Sequence, residues 1–254
     1  MVSARRRAIS LFVLPLVVAA MIAVWWPYRY LLLPMPVVVL LQGFDSAIIA
    51  DHTREMFWKF CEAAERNRFA LVMPRGLQGS FGEIPEVIAW YPEYLVENLR
   101  YLKDLPEHLK KEPGAGSRFA ADRLYFVGYS NGAYFGAIAL MNYPQMPFLG
   151  YWLEAGGFTY AFNELVPKRK VFINAGSNDL YNIEHIRKLG EALRNHGWEK
   201  GKNLIYREHS GTHIFDFAVI DEAMRFLLTD ISPLSRKSYR VLRPAFMPQR
   251  IRRK

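Results

Sequence analysis

The sequence predicts an α/β fold in which a mostly parallel sheet is covered by helices on both faces. Short apolar runs, several of them rich in β-branched residues, alternate with longer segments whose apolar residues recur at helical spacing. Strands that alternate with helices pair in parallel, because each helix carries the chain back across the sheet. The 254 residues, 51% of them hydrophobic, are sufficient for one domain with a large core.

The best-defined unit is residues 122–140, DRLYFVGYSNGAYFGAIAL, which predict a buried strand, a sharp turn at Ser130 and a helix. A serine held at such a turn adopts strained backbone angles and brings the strand close to the helix. Gly128 and Gly132, two residues before and after it, fit this close approach, and Gly136 allows the helix to lie near the sheet. The pattern predicts a nucleophilic serine, and its alternative is a turn serine that only caps the helix.

The other elements follow from apolar periodicity and from the glycines and prolines that interrupt it. Strands are expected at 29–33, 37–41, 69–73, 151–154, 171–174 and 203–207. Helices are expected at 52–67, 87–105, 183–196 and 215–228, and connecting segments at 74–84 and 110–117. Because parallel strands end at the same edge of a sheet, functional residues are expected just beyond their carboxyl ends.

Candidate catalytic residues follow three of these strands. Ser130, Asp179 and His213 occur in this chain order, each in a loop after a strand. A serine hydroxyl needs a histidine to take its proton, and a carboxylate to hold that histidine in the correct tautomer. The main-chain N–H groups of Phe44 and Asn131 are the expected donors to the oxyanion of the reaction. Together these residues predict hydrolysis of a carboxylic ester through an acyl-enzyme.

Two of these assignments have alternatives. His209 lies four residues before His213 and nearer the strand. Gly211 favours His213 as the base, because it gives the loop conformational freedom. Glu154 ends the strand before Asp179, and it is either the acid itself or a hydrogen-bonded carboxylate that supports the site. The remaining candidates are expected on the surface or within helices: His108, His185, His196, Asp216 and Asp221.

Several aromatic residues fall near the predicted site loops, and each one alone is better explained as core or rim packing. Together they are able to line an apolar pocket: Trp90, Tyr91, Tyr129, Phe158, Tyr160, Tyr181 and Phe215. The segment between the strands at 151–154 and 171–174 is too short for a large lid. We therefore expect an open cleft for esters of short or aromatic acids.

The formal net charge of +9 comes from the two ends of the chain. The first 29 residues contain only basic charges, residues 235–254 contain eight basic residues and no acid, and the body between them is slightly negative. Nucleic-acid binding by the body is therefore not expected. The single cysteine, Cys61, excludes an internal disulfide. No metal-ligand spacing or nucleotide-binding glycine motif occurs, so neither a metal nor a cofactor is expected.

Three arginines at 5–7 precede an uncharged apolar run at 8–26 that ends in an aromatic cluster. This pattern predicts a membrane anchor, or a signal peptide cleaved near residues 18–20. The arginines should stay in the cytoplasm, which places the rest of the chain outside it, in the periplasm or beyond. We expect a signal segment at 1–28, a catalytic domain at 29–232 and a basic tail at 233–254.

Residues 29–230 resemble the α/β-hydrolase superfamily, and within it compact secreted esterases of the polyhydroxybutyrate-depolymerase and feruloyl-esterase type. Four features carry the resemblance: the opening from Arg29 through the prolines to 37–41, the serine turn at 128–132, the Gly-x-x-Asp turn at 176–179 and the glycine-flanked His213. The resemblance implies an α/β-hydrolase fold with a serine, aspartate and histidine triad and a small-molecule ester as substrate.

One position departs from those esterases. They usually have His-Gly after the first core strand, whereas this chain has Gln42-Gly43. Because the oxyanion donor in that loop is a main-chain N–H, the change of side chain is compatible with activity. Two other functions stay open: a peptidase or acyltransferase that uses the same triad, and a catalytically silent scaffold that binds a partner at the cell envelope.

Overall fold

The computed structural model describes residues 34–44, 50–74, 76–81, 84–90, 94–111 and 118–229. The expected membrane segment, the strand expected at 29–33 and the basic tail lie outside these ranges. Within them, no helix has the length and apolar character needed to cross a membrane.

Among the described residues, the main sheet contains six parallel strands and confirms the predicted fold class. The strands in chain order are β1 (Met35–Leu41), β2 (Ala70–Val72), β3 (Leu77–Phe81), β4 (Ile84–Ala89), β5 (Phe119–Tyr129), β6 (Phe148–Glu154), β7 (Lys170–Gly176) and β8 (Leu204–His209). The sheet order is β2-β1-β5-β6-β7-β8, and β3 and β4 form a separate antiparallel pair. The carboxyl ends of β5, β7 and β8 therefore lie at one edge.

Helices cover both faces of the sheet. They are α1 (Ala50–Asn67), α2 (Leu95–Lys111), α3 (Asn131–Asn142), α4 (Ile183–Asn195) and α5 (Ile220–Leu227), with a short 3₁₀ helix at Phe217–Val219. Successive residues of β1 point to opposite faces, so Val39 belongs to the apolar cluster that includes α2, α3 and α4, whereas Val38 belongs to the one that includes α1 and α5. Such a strand is apolar throughout because both faces are buried.

The structure corrects the prediction for residues 74–105. The segment expected to be a loop contains β3, and the expected start of a helix at residue 87 lies within β4. A short apolar segment with Val87 and Ile88 fits either a strand or a helix, so periodicity alone did not separate them. Helix α2 begins at Leu95 and continues past Pro106, because Leu109 extends its buried apolar stripe by one turn.

The last predicted helix, 215–228, is also divided. The carboxylate of Asp216 accepts a hydrogen bond from the N–H of Ala218 and begins the 3₁₀ turn. Helix α5 starts only at Ile220, so Asp216 lies before it, while Asp221 lies within it as expected. Asp221 accepts hydrogen bonds from Arg66 and Asn67 at the end of α1, which joins the two helices of this face.

Candidate active site

Ser130 occupies a strained turn between β5 and α3. Its backbone angles are φ 52° and ψ −115°, a conformation that L-residues rarely adopt. A Cβ atom on Gly132 would lie 2.4 Å from the carbonyl oxygen of Leu41, and one on Gly128 would lie 2.4 Å from that of Gly132. Glycine is therefore required on both sides, and the tight turn presents Ser130 at the end of the sheet.

Ser130, His213 and Asp179 form a continuous chain of hydrogen bonds. The hydroxyl oxygen of Ser130 lies 2.8 Å from Nε2 of His213, and Nδ1 of His213 lies 2.6 Å from Oδ2 of Asp179. With a neutral imidazole, Nδ1–H donates to the carboxylate and Nε2 accepts from the serine hydroxyl. The structure thus brings the three predicted residues together in the arrangement that activates a serine.

The loops after β7 and β8 are joined to each other, which fixes Asp179 relative to His213. The N–H of Ser177 donates to the carbonyl of His209, and the N–H of Asn178 donates to that of Gly211. A Cβ atom on Gly176 would lie 2.1 Å from the carbonyl oxygen of Thr212. Only glycine at 176 allows this contact, which is the structural reason for the Gly-x-x-Asp turn.

Asp179 has a second hydrogen-bonding partner, Asn182. The amide Nδ2 of Asn182 donates to both carboxylate oxygens of Asp179, at 2.9 Å and 3.0 Å. The hydroxyl of Tyr134 donates to Oδ1 of Asn182 at 2.5 Å. Sequence reasoning missed both residues, although Asn182 directly precedes α4 and Tyr134 lies one helical turn after Ser130.

Glu154, the alternative acid, is fully buried, and its hydrogen-bond partners do not include His213. Its carboxylate accepts hydrogen bonds from Trp152 Nε1 at 2.8 Å, Asn174 Nδ2 at 2.9 Å and the N–H of Asp216 at 3.1 Å. Burial raises the pKa of Glu154 to about 8, although these donors oppose the shift. Asp216 lies three residues after His213, so its hydrogen bond to Glu154 holds the end of the His213 loop.

His209, the alternative base, takes part in a local contact. Its Nδ1 accepts a hydrogen bond from the N–H of Gly211 at 3.0 Å, and its buried Nε2 has no partner among the described residues. A Cβ atom on Gly211 would lie 2.6 Å from the His209 ring, so this glycine allows close packing. Of the two histidines, His213 is the one that contacts Ser130.

A cavity of about 450 Å³ opens beside Ser130 and His213. Its lining is mostly aromatic and aliphatic: Phe44, Trp90, Leu95, Ser130, Asn131, Tyr134, Phe135, Ile138, Tyr160, Asn182 and His213. Of these, Tyr134, Phe135 and Ile138 share one face of α3, and their helical spacing was a usable sequence signal. Within the described ranges, no three His, Cys, Asp or Glu side chains are grouped so as to hold a metal ion.

The seven aromatic residues expected near the site are separated by the structure. Trp90 and Tyr160 line the cavity. Tyr129 and Phe215 pack against each other in the core, and the Tyr129 ring stacks on His213. Phe158 and Tyr181 are exposed outside the cavity, and Tyr91 lies outside the described residues.

Both expected oxyanion donors belong to residues that line this cavity. Asn131 is the first residue of α3, where a main-chain N–H has no partner within the helix. Its side-chain oxygen accepts from the N–H of Trp90 at 2.7 Å, which fixes the start of the helix. A Cβ atom on Gly43 would lie 3.0 Å from Cβ of Ser130, so the loop carrying Phe44 passes directly beside the serine. Gln42, at the departure from the usual His-Gly, is buried, and its Oε1 has no partner among the described residues.

Comparison with solved structures identifies similar folds at low sequence identity. The carboxylesterase of Bacillus cereus is 19% identical, with a TM-score of 0.57 over 77% of this chain and 88% of that chain. Esterase PE8 is 17% identical, with a TM-score of 0.58 over 77% and 93% of the two chains. The carboxylesterase of Mesorhizobium loti is 18% identical, with a TM-score of 0.52 over 74% and 88%. No family model and no curated protein matches the sequence. The structural likeness shows that this chain has the α/β-hydrolase fold seen in these esterases.

Proposed function

We propose that this protein is a serine hydrolase that cleaves carboxylic esters through an acyl-enzyme. The observation that carries the proposal is the hydrogen-bonded chain from Asp179 through His213 to Ser130, which ends at an apolar cavity. The esterase folds that resemble this chain are consistent with the same chemistry. In this proposal Ser130 is the nucleophile, His213 the general base and acid, and Asp179 the residue that orients His213.

The reaction takes place in two halves. Ser130 Oγ attacks the ester carbonyl carbon while Nε2 of His213 takes its proton, and the resulting oxyanion accepts from the N–H groups of Asn131 and Phe44. The intermediate then expels the alcohol, which receives the proton from His213. A water molecule next attacks the acyl-enzyme with His213 again as the base, and the acid leaves as Ser130 regains its proton.

The cavity favours a neutral ester of modest size. Its lining is mostly aromatic and aliphatic, and its polar groups belong to Ser130, Asn131, Tyr134, Tyr160, Asn182 and His213. The connection from β6 to β7, residues 155–169, contains no helix, so no lid built there covers a long acyl chain. We therefore propose short-chain or aromatic acyl groups as substrates.

The other functions share part of this machinery. A peptidase or an acyltransferase would use the same acyl-enzyme, and the open site favours water as the acceptor over a second alcohol or amine. A silent scaffold would not need hydrogen bonds of 2.6 and 2.8 Å that end at a cavity. Ester hydrolysis is thus the activity that accounts for most of the observed contacts.

A fluorophosphonate probe tests the proposal directly. Wild-type protein should form one covalent adduct, which mass spectrometry places on the peptide containing Ser130, and it should hydrolyse p-nitrophenyl butyrate. Ser130→Ala should lose both reactions, while Ser177→Ala, a change at another loop serine, should keep them. An adduct on Ser177 or Ser210, or no adduct on folded protein, would refute the assignment.

We also propose that residues 8–26 anchor the protein with its catalytic domain outside the cytoplasm. The support is the sequence pattern of three arginines before an uncharged apolar run. Protease added to intact spheroplasts should digest the domain. Protection in intact spheroplasts, followed by digestion after lysis, would show that the domain lies inside.

A further inference from the structure

We propose that Asn182, held by Tyr134, is a positioning residue that fixes the Asp179 carboxylate for its hydrogen bond to His213. The inference rests on the proposed serine-hydrolase function, in which Asp179 orients His213. Nδ2 of Asn182 also lies 3.0 Å from Nδ1 of His213. When Nδ1–H is directed at Asp179, both of these nitrogens are donors, so Asn182 acts on His213 through the carboxylate that they share and is a positioning residue.

The hydrogen-bond donors to the Asp179 carboxylate support this role for Asn182. Among the described residues, the side chains that hydrogen-bond this carboxylate are His213 and Asn182. Asp179 is only 2% exposed, so in the native protein its carboxylate depends on these donors rather than on solvent. Asn182 reaches both oxygens, and it therefore restrains the rotation of the carboxylate about its own axis.

The side chain of Asn182 does not cap its own helix. Asn182 is the N-cap residue of α4, where an asparagine side chain usually accepts from a main-chain N–H of the first turn. Here it makes no such capping hydrogen bond. Its backbone angles, φ −117° and ψ −23°, are in the helical region rather than the extended region of a capping residue, and its side chain is directed to Asp179 and Tyr134 instead.

The amide of Asn182 has a defined orientation, with its nitrogen facing Asp179. The hydroxyl of Tyr134 donates to Oδ1 of Asn182, which leaves Nδ2 directed towards the carboxylate. Burial raises the pKa of Tyr134 to about 12, so the phenol keeps the proton that it donates near neutral pH. Tyr134 lies on α3 one turn after Ser130. The hydrogen bonds therefore form a closed circuit that starts and ends on the nucleophile's helix.

The charges around this circuit determine what substitutions should do. Apart from His213, the ionisable groups that interact with Asp179 are Tyr129 on β5 and Tyr134 on α3, and both are protonated near neutral pH. Glu154 on β6 interacts in turn with Tyr129. An aspartate at position 182 keeps the shape and the acceptor for Tyr134. It also removes the donor and adds a negative charge beside Asp179, which favours a protonated His213.

The experiment compares Asn182→Ala, Asn182→Asp and Tyr134→Phe with wild type. The matched controls are Asn195→Ala, at the exposed far end of α4, and Tyr181→Phe, at a side chain that is 90% exposed. Two quantities are measured: the pH profiles of kcat and KM for p-nitrophenyl butyrate, and the NMR titration midpoint of the His213 imidazole, assigned with His213→Ala.

Asn182→Ala should lower kcat about 10- to 100-fold, the range for a lost hydrogen bond to a charged group, with KM changed less than about twofold. Tyr134→Phe should lower kcat by a smaller factor in the same direction. Asn182→Asp should move the acidic limb of the kcat/KM profile and the His213 midpoint to higher pH. Both controls should match wild type.

An unchanged pH profile and an unchanged His213 midpoint in folded Asn182→Asp would overturn the proposal. So would a kcat loss in Asn182→Ala that disappears when the assay is corrected for the folded fraction. If wild type forms no fluorophosphonate adduct and hydrolyses no ester, the proposed function fails. The His213 midpoint in Asn182→Ala, a variant that adds no charge, does not depend on turnover, so it still decides whether Asn182 acts on the Asp179–His213 pair, and a midpoint equal to that of wild type would exclude this action.

Discussion

The hydroxyl of Tyr129 donates a hydrogen bond to the main-chain oxygen of His213, 3.1 Å away. Tyr129 immediately precedes Ser130, so the residue beside the proposed nucleophile also holds the backbone of the proposed base. Its ring stacks on the imidazole, with ring centroids 5.6 Å apart. Burial, with a smaller contribution from Glu154, raises the pKa of Tyr129 to about 12, so it remains a neutral donor.

Tyr129→Phe should therefore keep the packing and lose the tether to His213. We expect kcat to fall severalfold and the free energy of unfolding to fall by about 1 kcal/mol, the net value of one hydrogen bond. Steady-state kinetics and urea denaturation measure the two effects, with Tyr181→Phe as the control. Equal values for Tyr129→Phe and wild type would mean that the tether does not position His213.

His213→Ala should remove nearly all turnover, by a factor on the order of 10⁶, whereas His209→Ala should keep most of it. His209 contacts the N–H of Gly211 rather than Ser130. Because triad residues act as a unit, Ser130→Ala combined with His213→Ala should be little worse than either change alone. A larger loss in His209→Ala, with circular dichroism unchanged, would reverse the assignment of the base.

Asp179→Asn should lower kcat by about 10⁴-fold, because the amide no longer favours the tautomer in which Nδ1 of His213 carries the proton. Glu154→Gln should be much less damaging, since Glu154 contacts Trp152, Asn174 and the N–H of Asp216 but not His213. Kinetics on both folded variants test this order. If Glu154→Gln is the more damaging, Asp179 is not the orienting acid.

Glu154 should also make stability depend on pH. Its pKa rises from an ordinary 4.5 to about 8 in the folded protein, because the folded state buries the carboxyl. Between these values the folded state holds a proton that the unfolded chain releases. The free energy of unfolding should therefore fall as the pH rises through this window, by at most about 1.4 kcal/mol per pH unit, and level off above it.

Urea denaturation of wild type and Glu154→Gln from pH 5 to pH 9 isolates this contribution, because glutamine does not titrate. The stability of wild type relative to the variant should decline up to about pH 8. A constant difference across the range would mean that Glu154 does not change its protonation there.

Much of the fold could be predicted from sequence because its central strands are buried on both faces. The five apolar residues of 37–41 reflect that burial, and the glycines around Ser130 reflect the close backbone contacts at the serine turn. The region from residue 74 to 94 was harder, since Val87 and Ile88 fit both a strand and a helix. The local sequence pattern did not distinguish a strand from a helix there, whereas the structure shows that β4 pairs with β3.

The residues of the candidate site also differ in how far sequence could predict them. Ser130, Asp179 and His213 each follow a strand and lie within three residues of a glycine, so sequence was sufficient to select them as candidates. Helical spacing marks the face of α3 that carries Tyr134, but no local pattern marks its contact with Asn182, because the two residues are 48 positions apart in the chain. Only the packing of α4 against the sheet beside α3 brings them together.

The cavity leads to a prediction about acyl-chain length. Its apolar wall on α3 includes Ile138, its volume is about 450 Å³, and no helix between β6 and β7 covers its mouth. We expect kcat/KM to be higher for p-nitrophenyl acetate or butyrate than for the palmitate, without activation at a lipid interface. Ile138→Trp should narrow the cavity and lower kcat/KM for the butyrate more than for the acetate, while Leu165→Trp, at an exposed position, should change neither. Activity that increases with chain length up to the palmitate would contradict the open cleft and indicate a lipase. Cleavage of peptide amides without cleavage of esters would favour the peptidase.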